Sequence, residues 1–439
     1  MEQKKVRGFG FRGWMLILYQ AIAYITFQCF TQYPLNILAD FYGGSQKVAN
    51  IYSICAVVGI LVQIVLAGIV AKMKKIKLFG TILGAVTLIL AFLVMTLPAG
   101  SAWDAAYAII NVVSVLYATF ALGILVGQWF PTKKGIVMGI ATLAFPIANG
   151  LLGPFASAVF AKGFPDIKGA FLPFFIVSVV GWIIGIVFIR DYPEECGAFR
   201  DNDKSMTPEV AKAIMEAEIE NKRTSVWTYL HTLRCKEFWF GTICVALLLS
   251  CSIGLMSQSN AIITHYPELD YTMVMALVMI FGCIGSFILG VLDQKLGTKK
   301  AMIISTILMI IGGVLGLIDN PTALMIAMIF VAMFMGASSN FGVSHAAQYW
   351  RREDFSRIFT LSSPIGSAIS SASPAVIAAL LFGATGYKGH AGAFTFVLIS
   401  GVVALVVMLI HKPSHIKEMD DKYRAAAGKP LDDELVGRK

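Results

Sequence analysis

The sequence predicts an all-α integral membrane protein of twelve transmembrane helices in two six-helix repeats, with the N- and C-termini cytoplasmic. Composition, the spacing of apolar segments and the placement of positive charge lead there. Of 439 residues, 57% are hydrophobic and only 14% are charged, where a soluble domain carries about 25% charged residues. Mean hydropathy is +0.75. A water-soluble globule could not hide this much apolar surface, which excludes a soluble enzyme, and a disordered chain fails on the same numbers. A helical span needs roughly 20 apolar residues, and the chain has room for a dozen. Strand-length alternating segments are missing, which excludes a β-barrel.

The apolar segments of the first half run near 13–38, 48–71, 78–98, 105–127, 135–161 and 170–189. The basic start, MEQKKVRGFGFRGW, leads into a stretch too long for a signal-peptide core and studded with Gln20, Tyr24, Gln28 and Gln32. It reads as a retained first span. The second half repeats the count near 238–262, 271–292, 301–318, 322–347, 357–382 and 391–411. With a cytoplasmic N-terminus, every Lys and Arg except Lys47, Lys162, Lys168 and Lys388 falls in a cytoplasmic loop or tail. That bias follows the positive-inside rule. The net charge of +9 is therefore a topology signal, and no nucleic acid is expected as a partner. The long linker carries PEVAKAIMEAEIENKR, an amphipathic helix with Pro208 in its first turn. The organisation is thus a bundle over 1–190, a cytoplasmic linker over 191–236, a second bundle over 237–412 and a tail over 413–439. The seven cysteines follow no metal-ligand spacing and read as small buried hydrophobes. No cofactor or metal is expected. No Asn-x-Ser/Thr acceptor lacking proline occurs, which favours a prokaryotic inner membrane.

Six spans, a linker and six spans invite a search for duplication. Thr142-Leu143-Ala144-Phe145-Pro146-Ile147 matches Thr360-Leu361-Ser362-Ser363-Pro364-Ile365, and Gln128-Trp129-Phe130 matches Gln348-Tyr349-Trp350. The offsets, 218 and 220, are nearly constant.

This arrangement resembles the major facilitator superfamily. After spans two and eight that superfamily carries a loop signature: Gly, three residues, Asp-Arg, any residue, Gly, then basic residues. After span eight Gly290, Lys295, Gly297 and Lys299 match, with Gln294 at the Asp position. After span two the stretch Gly68 to Lys77 places Lys72 at the Asp position, followed by Lys74 and Lys75, and the second Gly is lost. The resemblance implies gating loops built on Lys72, Lys74, Gln294, Lys295 and Lys299. Trp129-Phe130-Pro131-Thr132-Lys133-Lys134-Gly135, with Gly139 and Gly150-Leu151-Leu152-Gly153-Pro154, is similar to carriers grouped around oxalate:formate exchange and monocarboxylate transport. The oxalate carriers hold their anion with buried basic residues, and no Lys or Arg lies inside these spans, which argues against oxalate itself.

The acidic residues also lie at or beyond span ends, Glu237 among them, so the midplane carries no fixed charge. This speaks against proton symport through a buried carboxylate, since such a residue would be a default functional site. Recognition then falls to uncharged groups. Gln20, Tyr24 and Gln28 share one face of span one at i, i+4 and i+8. Lipid offers a polar stripe no partner, so it faces protein or water, as helix-packing glue or as a cavity wall. At similar depth lie Tyr117 in span four, Asn149 in span five, Ser250 in span seven and Ser339 in span ten. Gln258, Asn340, His345 and Ser367 complete the candidate substrate-binding set, with Tyr24 and Tyr117 as aromatic walls. Prolines 34, 146, 154, 173, 364 and 374 can kink helices in a moving carrier.

The chain is therefore expected to be a secondary active or facilitative transporter of a small organic solute, an organic anion of monocarboxylate type, working by alternating access as an antiporter or symporter. Its partners are the small-molecule substrate and the lipid bilayer, and it is expected to be monomeric. Export of amphipathic compounds is the alternative. A membrane-embedded receptor or enzyme is more distant, because the interior shows no acid, base or metal-ligand arrangement.

Overall fold

The computed structural model describes residues 8–32, 35–70, 73, 75–131, 133–160, 167–203, 205, 207–223, 225–383, 386–429 and 431. Eleven helices among them are long and apolar enough to cross a bilayer. In the segment expected at 48–71, the described apolar run is shorter, Lys47–Gln63. Lys72, Lys74 and Pro34 lie outside the described residues.

The first half begins with α1 (Gly10–Phe27), which continues as a π-helical segment over Gln28–Gln32, and α2 (Leu35–Tyr42). Then come α3 (Ser45–Val70) and α4 (Ile76–Thr96). Span four is α5 (Ser101–Val115), a second π-helical segment over Leu116–Ala121 and α6 (Leu122–Trp129). Span five is broken into α7 (Lys134–Ala141) and α8 (Ala144–Phe160), and α9 (Lys168–Phe188) closes the half. The linker holds α10 (Pro208–Arg223), which coincides with the expected amphipathic helix, and α11 (Tyr229–Arg234).

The second half runs α12 (Lys236–Ser257), α13 (Ser259–Ile263), α14 (Tyr271–Leu296), α15 (Thr298–Leu315), α16 (Pro321–Tyr349), α17 (Arg352–Ser371), α18 (Ser373–Leu381) and α19 (Ala391–Ile410), then the tail helix α20 (Ser414–Ala426). Asp270 and Asn320 start α14 and α16 by accepting two backbone N–H groups each, as N-caps do. Between α14 and α15, Gly297 takes φ +91°, a left-handed value that costs glycine nothing. The two-stranded ribbon Phe382–Gly383 with Gly386–Tyr387 is the only sheet among the described residues.

The halves meet along two seams: α3 packs on α17 and α18, and α7 and α8 pack on α14. At the second seam Gly139 faces Gly290, where a Cβ on Gly290 would come 3.2 Å from the Gly139 Cα; small residues let the backbones approach. The outer surfaces of α9 and α19 expose Ile176, Val180, Ile183, Ile399, Val402 and Leu409. This apolar girdle, with the many apolar helices, makes the chain a multi-pass membrane protein. The seven cysteines carry no disulfide.

One end of the bundle carries α10, α11 and α20 and is ringed with charge. In the second half Asp420, fully buried, accepts from Trp227 Nε1 at 2.9 Å and pairs with Arg351 Nε at 3.0 Å and Arg424 Nε at 3.3 Å. Arg424 also reaches Glu353 at 2.9 Å. In the first half Glu194 pairs with Arg200 at 2.8 Å, and the Asp201 carboxylate accepts the Lys133 backbone N–H at 2.9 Å. The Asp191 carboxylate accepts the Lys77 backbone N–H at 2.7 Å. Burial raises the Asp191 carboxyl above the usual carboxylate range, and that hydrogen bond opposes the shift.

Candidate functional site

A cavity lies between the halves, walled by helices from both. From the first half come Tyr24 on α1, Gln32 in the π segment after it, Gln63 on α3, Asn111 on α5 and Thr119 in the second π segment. From the second half come Thr242 on α12, Ser339 and His345 on α16, and Ser363 and Ser367 on α17. Among the described residues, no Asp, Glu, Lys or Arg lines it. The wall therefore offers uncharged donors and acceptors on an apolar frame. Four polar atoms here are buried without a hydrogen-bond partner: Gln32 Oε1, Gln63 Oε1, Asn111 Oδ1 and His345 Nε2. Such atoms cost about 1–3 kcal/mol each when left unsatisfied, so a polar solute or water has groups to complete.

Both ends of the cavity are bridged by contacts between the halves. At the far end the Ser53 hydroxyl on α3 donates to the Ser371 carbonyl on α17 at 3.5 Å, one half to the other. At the linker end the Lys134 ammonium lies 2.9 Å from the centre of the Phe355 ring, a cation–π contact. Beside it the Asn340 side-chain amide donates to the Gly135 carbonyl at 3.4 Å.

Of the residues singled out from sequence, Tyr24, Ser339, His345 and Ser367 line this cavity. Tyr24 packs against Phe145 with the rings tilted, centres 4.9 Å apart. The others are buried elsewhere. Gln20 Nε2 donates to the Ala118 carbonyl at 2.7 Å and ties α1 to span four. Tyr117 packs on Tyr19, centres 6.0 Å apart, which removes it from the expected aromatic wall. Ser250 returns its hydroxyl to the Ala246 carbonyl. Gln258 sits buried between α12 and α13. Gln28 and Asn149 are buried off the cavity wall, with neither polar atom of the Gln28 amide hydrogen-bonded. Asn340 serves the contact between halves described above.

In the last turn of α14, Gln294 and Lys295 are exposed. The buried carboxylate is Asp293, one position earlier. It accepts from Thr298 Oγ1 at 2.6 Å and faces Gly135 of the first half, where a Cβ would come 3.3 Å from its Oδ2. Lys299 turns inward and donates to the His411 carbonyl at 2.5 Å.

Gln32, Gln63, Thr119 and Thr242 were not singled out as binding residues. Gln32 belongs to the same stripe as Gln28, but the π segment shifts its register by about one residue, and no sequence pattern announced that turn. Phe145 and Ser363 occupy matching places in the internal repeat, and both line the cavity. The duplication was therefore the available signal for the paired walls.

Residues 238–432 match the family model of the Major Facilitator Superfamily. No curated protein matches the chain. The crystal structure of the human organic anion transporter MFSD10 (TETRAN) superposes with a TM-score of 0.62 at 12% identity, covering 90% of this chain and 97% of that one. The chain thus has the major facilitator fold.

Proposed function

We propose that the chain is a member of this superfamily that carries a small organic solute, an organic anion of monocarboxylate type, across a membrane by alternating access. Twelve spans with both termini in the cytoplasm complete the reading. The observation that carries it is the uncharged polar cavity at the interface of two repeats, where carriers of this architecture bind. Contacts between the halves bridge both of its ends, so rocking can open either one. The MFSD10 structure, from a transporter of organic anions, supports the same class of solute. An anion here is held by hydrogen bonds and by His345, without a fixed cation.

Purified protein in liposomes, given a panel of radiolabelled monocarboxylates, dicarboxylates, amino acids and amphipathic acids, tests the reading. At least one organic anion should accumulate by saturable uptake. Asn111→Ala and Ser367→Ala should each weaken its apparent affinity about threefold to tenfold, the ~0.5–1.5 kcal/mol of one neutral hydrogen bond. Uptake of none of the panel would refute the reading, and export of amphipathic compounds alone would favour the alternative. In a cysteine-free background, Lys295→Cys should react with impermeant reagent only from the cytoplasm and Lys388→Cys only from outside.

A further inference from the structure

Behind His345, and off the cavity wall, lies a row of titratable groups. The His345 imidazole sits against Gly241, where a Cβ would overlap the ring. The ring of His411, fully buried, is 5.2 Å away between centres. The Nε2 atoms of both histidines are buried without a hydrogen-bond partner. On its other side His411 Nδ1 is 2.5 Å from Glu237 Oε2, which also accepts the Lys412 backbone N–H at 2.9 Å. Glu237 Oε1 is 3.6 Å from Nδ1 of His415, a residue 39% exposed and 3.9 Å from Glu418. Around the pair, Tyr349 faces both imidazoles, Trp350 faces His345, and the Lys299 ammonium holds the His411 carbonyl. The succession leads from the cavity to the surface at the linker end.

We propose that His345, His411, Glu237 and His415 form a proton path between the cavity and the linker-end surface, which couples passage of an anionic solute to movement of a proton. The proposal rests on the carrier reading. In the outward direction along the path, the N–H bond at His345 Nε2 breaks as one forms at His411 Nε2, directly or through one water. The Nδ1–H bond of His411 then breaks as an O–H bond forms on Glu237, and that proton leaves through His415 to water. The reverse sequence charges His345, whose imidazolium then faces the solute as its counter-charge. The sequence led us to expect no buried carboxylate relay at mid-depth. This carboxylate sits at the start of α12, and the two histidines connect it to the cavity.

The test uses the full chain, labelled with 15N-histidine, in lipid nanodiscs without solute, titrated by NMR between about pH 5 and 9. Resonances are assigned with His345→Gln and His411→Gln. His345 and His411 should titrate as a coupled pair sharing one proton. Glu237→Gln should lower the midpoint of the pair by about one pH unit or more, tenfold in proton affinity, because the carboxylate that favours the imidazolium is gone. If Glu237→Gln does not fold, His345→Gln decides: in a coupled pair it raises the midpoint of His411, and an unmoved midpoint overturns the path. Two independent titrations in the wild type also overturn it. In liposomes, with gluconate, a poorly permeant monocarboxylate, as the first probe, a pH step should drive accumulation by the wild type and only equilibration by His345→Gln. A coupled pair in a protein that moves no solute would sink the carrier reading and leave the path standing. Transport indifferent to pH, with independent histidines, would sink the path alone.

Discussion

The two halves share a scaffold and differ in what they do with it. At matching places a lysine opens span three and span nine: Lys77 donates to the Ile186 carbonyl at 2.9 Å, and Lys299 donates to the His411 carbonyl at 2.5 Å. Each bond ties the start of one span to the end of the last span in its half. Chemistry has diverged around that common bond. The first half carries the two π-helical segments and gives the cavity amide side chains; π turns inside helices often mark functional sites. The second half gives hydroxyls and His345, with buried carboxylates and histidines behind it, and it alone is matched by the family model. The two halves thus share this bond between span start and span end while their polar groups differ.

The comparison can be broken first at the charged rings. Asp420 holds three donors in a fully buried setting, and Asp420→Ala removes the carboxylate shared by Trp227, Arg351 and Arg424. A loss of about 3–5 kcal/mol is expected, as for other broken buried pairs, read as a large drop in detergent melting temperature. Glu194→Ala should cost less, because Arg200 keeps its place over the Tyr192 ring, 5.6 Å from the centre. Equal losses would remove the asymmetry between the halves.

The shared bond comes next. Lys77→Met and Lys299→Met should each cost about 1–2 kcal/mol, toward the lower range for a charged donor because both lysines are half-exposed. Similar drops in melting temperature support the equivalence of the two spans, and an effect confined to Lys299 would end it.

The smallest effect concerns Asp191. Its carboxyl is raised by burial, so in the folded chain it binds its proton more tightly than when unfolded. The resulting stability is present at low pH and is lost as pH rises through the carboxylate range. Asp191→Asn keeps an acceptor for the Lys77 N–H and has no charge to bury. The variant should match the wild type near pH 4 and melt slightly higher near pH 8. A variant that melts lower at both would show that the ionised carboxylate is worth more as a cap than it costs to bury.

Much of this fold was legible because lipid and backbone impose simple demands. Apolar runs of span length, charge gathered at one end, Pro208 opening a linker helix and a repeat at near-constant offset each follow from local composition. The candidate site was legible only in part. Tyr24, Ser339, His345 and Ser367 reach the cavity, whereas Gln20 and Ser250, also polar and within their spans, turn to backbone carbonyls. A polar residue in a span must find a partner, but the sequence does not say whether that partner is a carbonyl one turn away, another helix or a solute.

By itself, the sequence determined that this chain crosses a membrane many times, as two related halves with charge gathered at one end. Bulk apolarity and periodicity are additive along a chain and need no knowledge of neighbours. Only the tertiary structure decided which polar side chains meet. It brought His411, 66 residues beyond His345, against the same ring, set Glu237 behind them and buried Asp293 while exposing Gln294. Those outcomes depend on helix rotation, on π segments that shift register and on glycines such as Gly241 that make room. Each is set by packing between helices remote in sequence, where a turn of one residue exchanges a buried side chain for an exposed one.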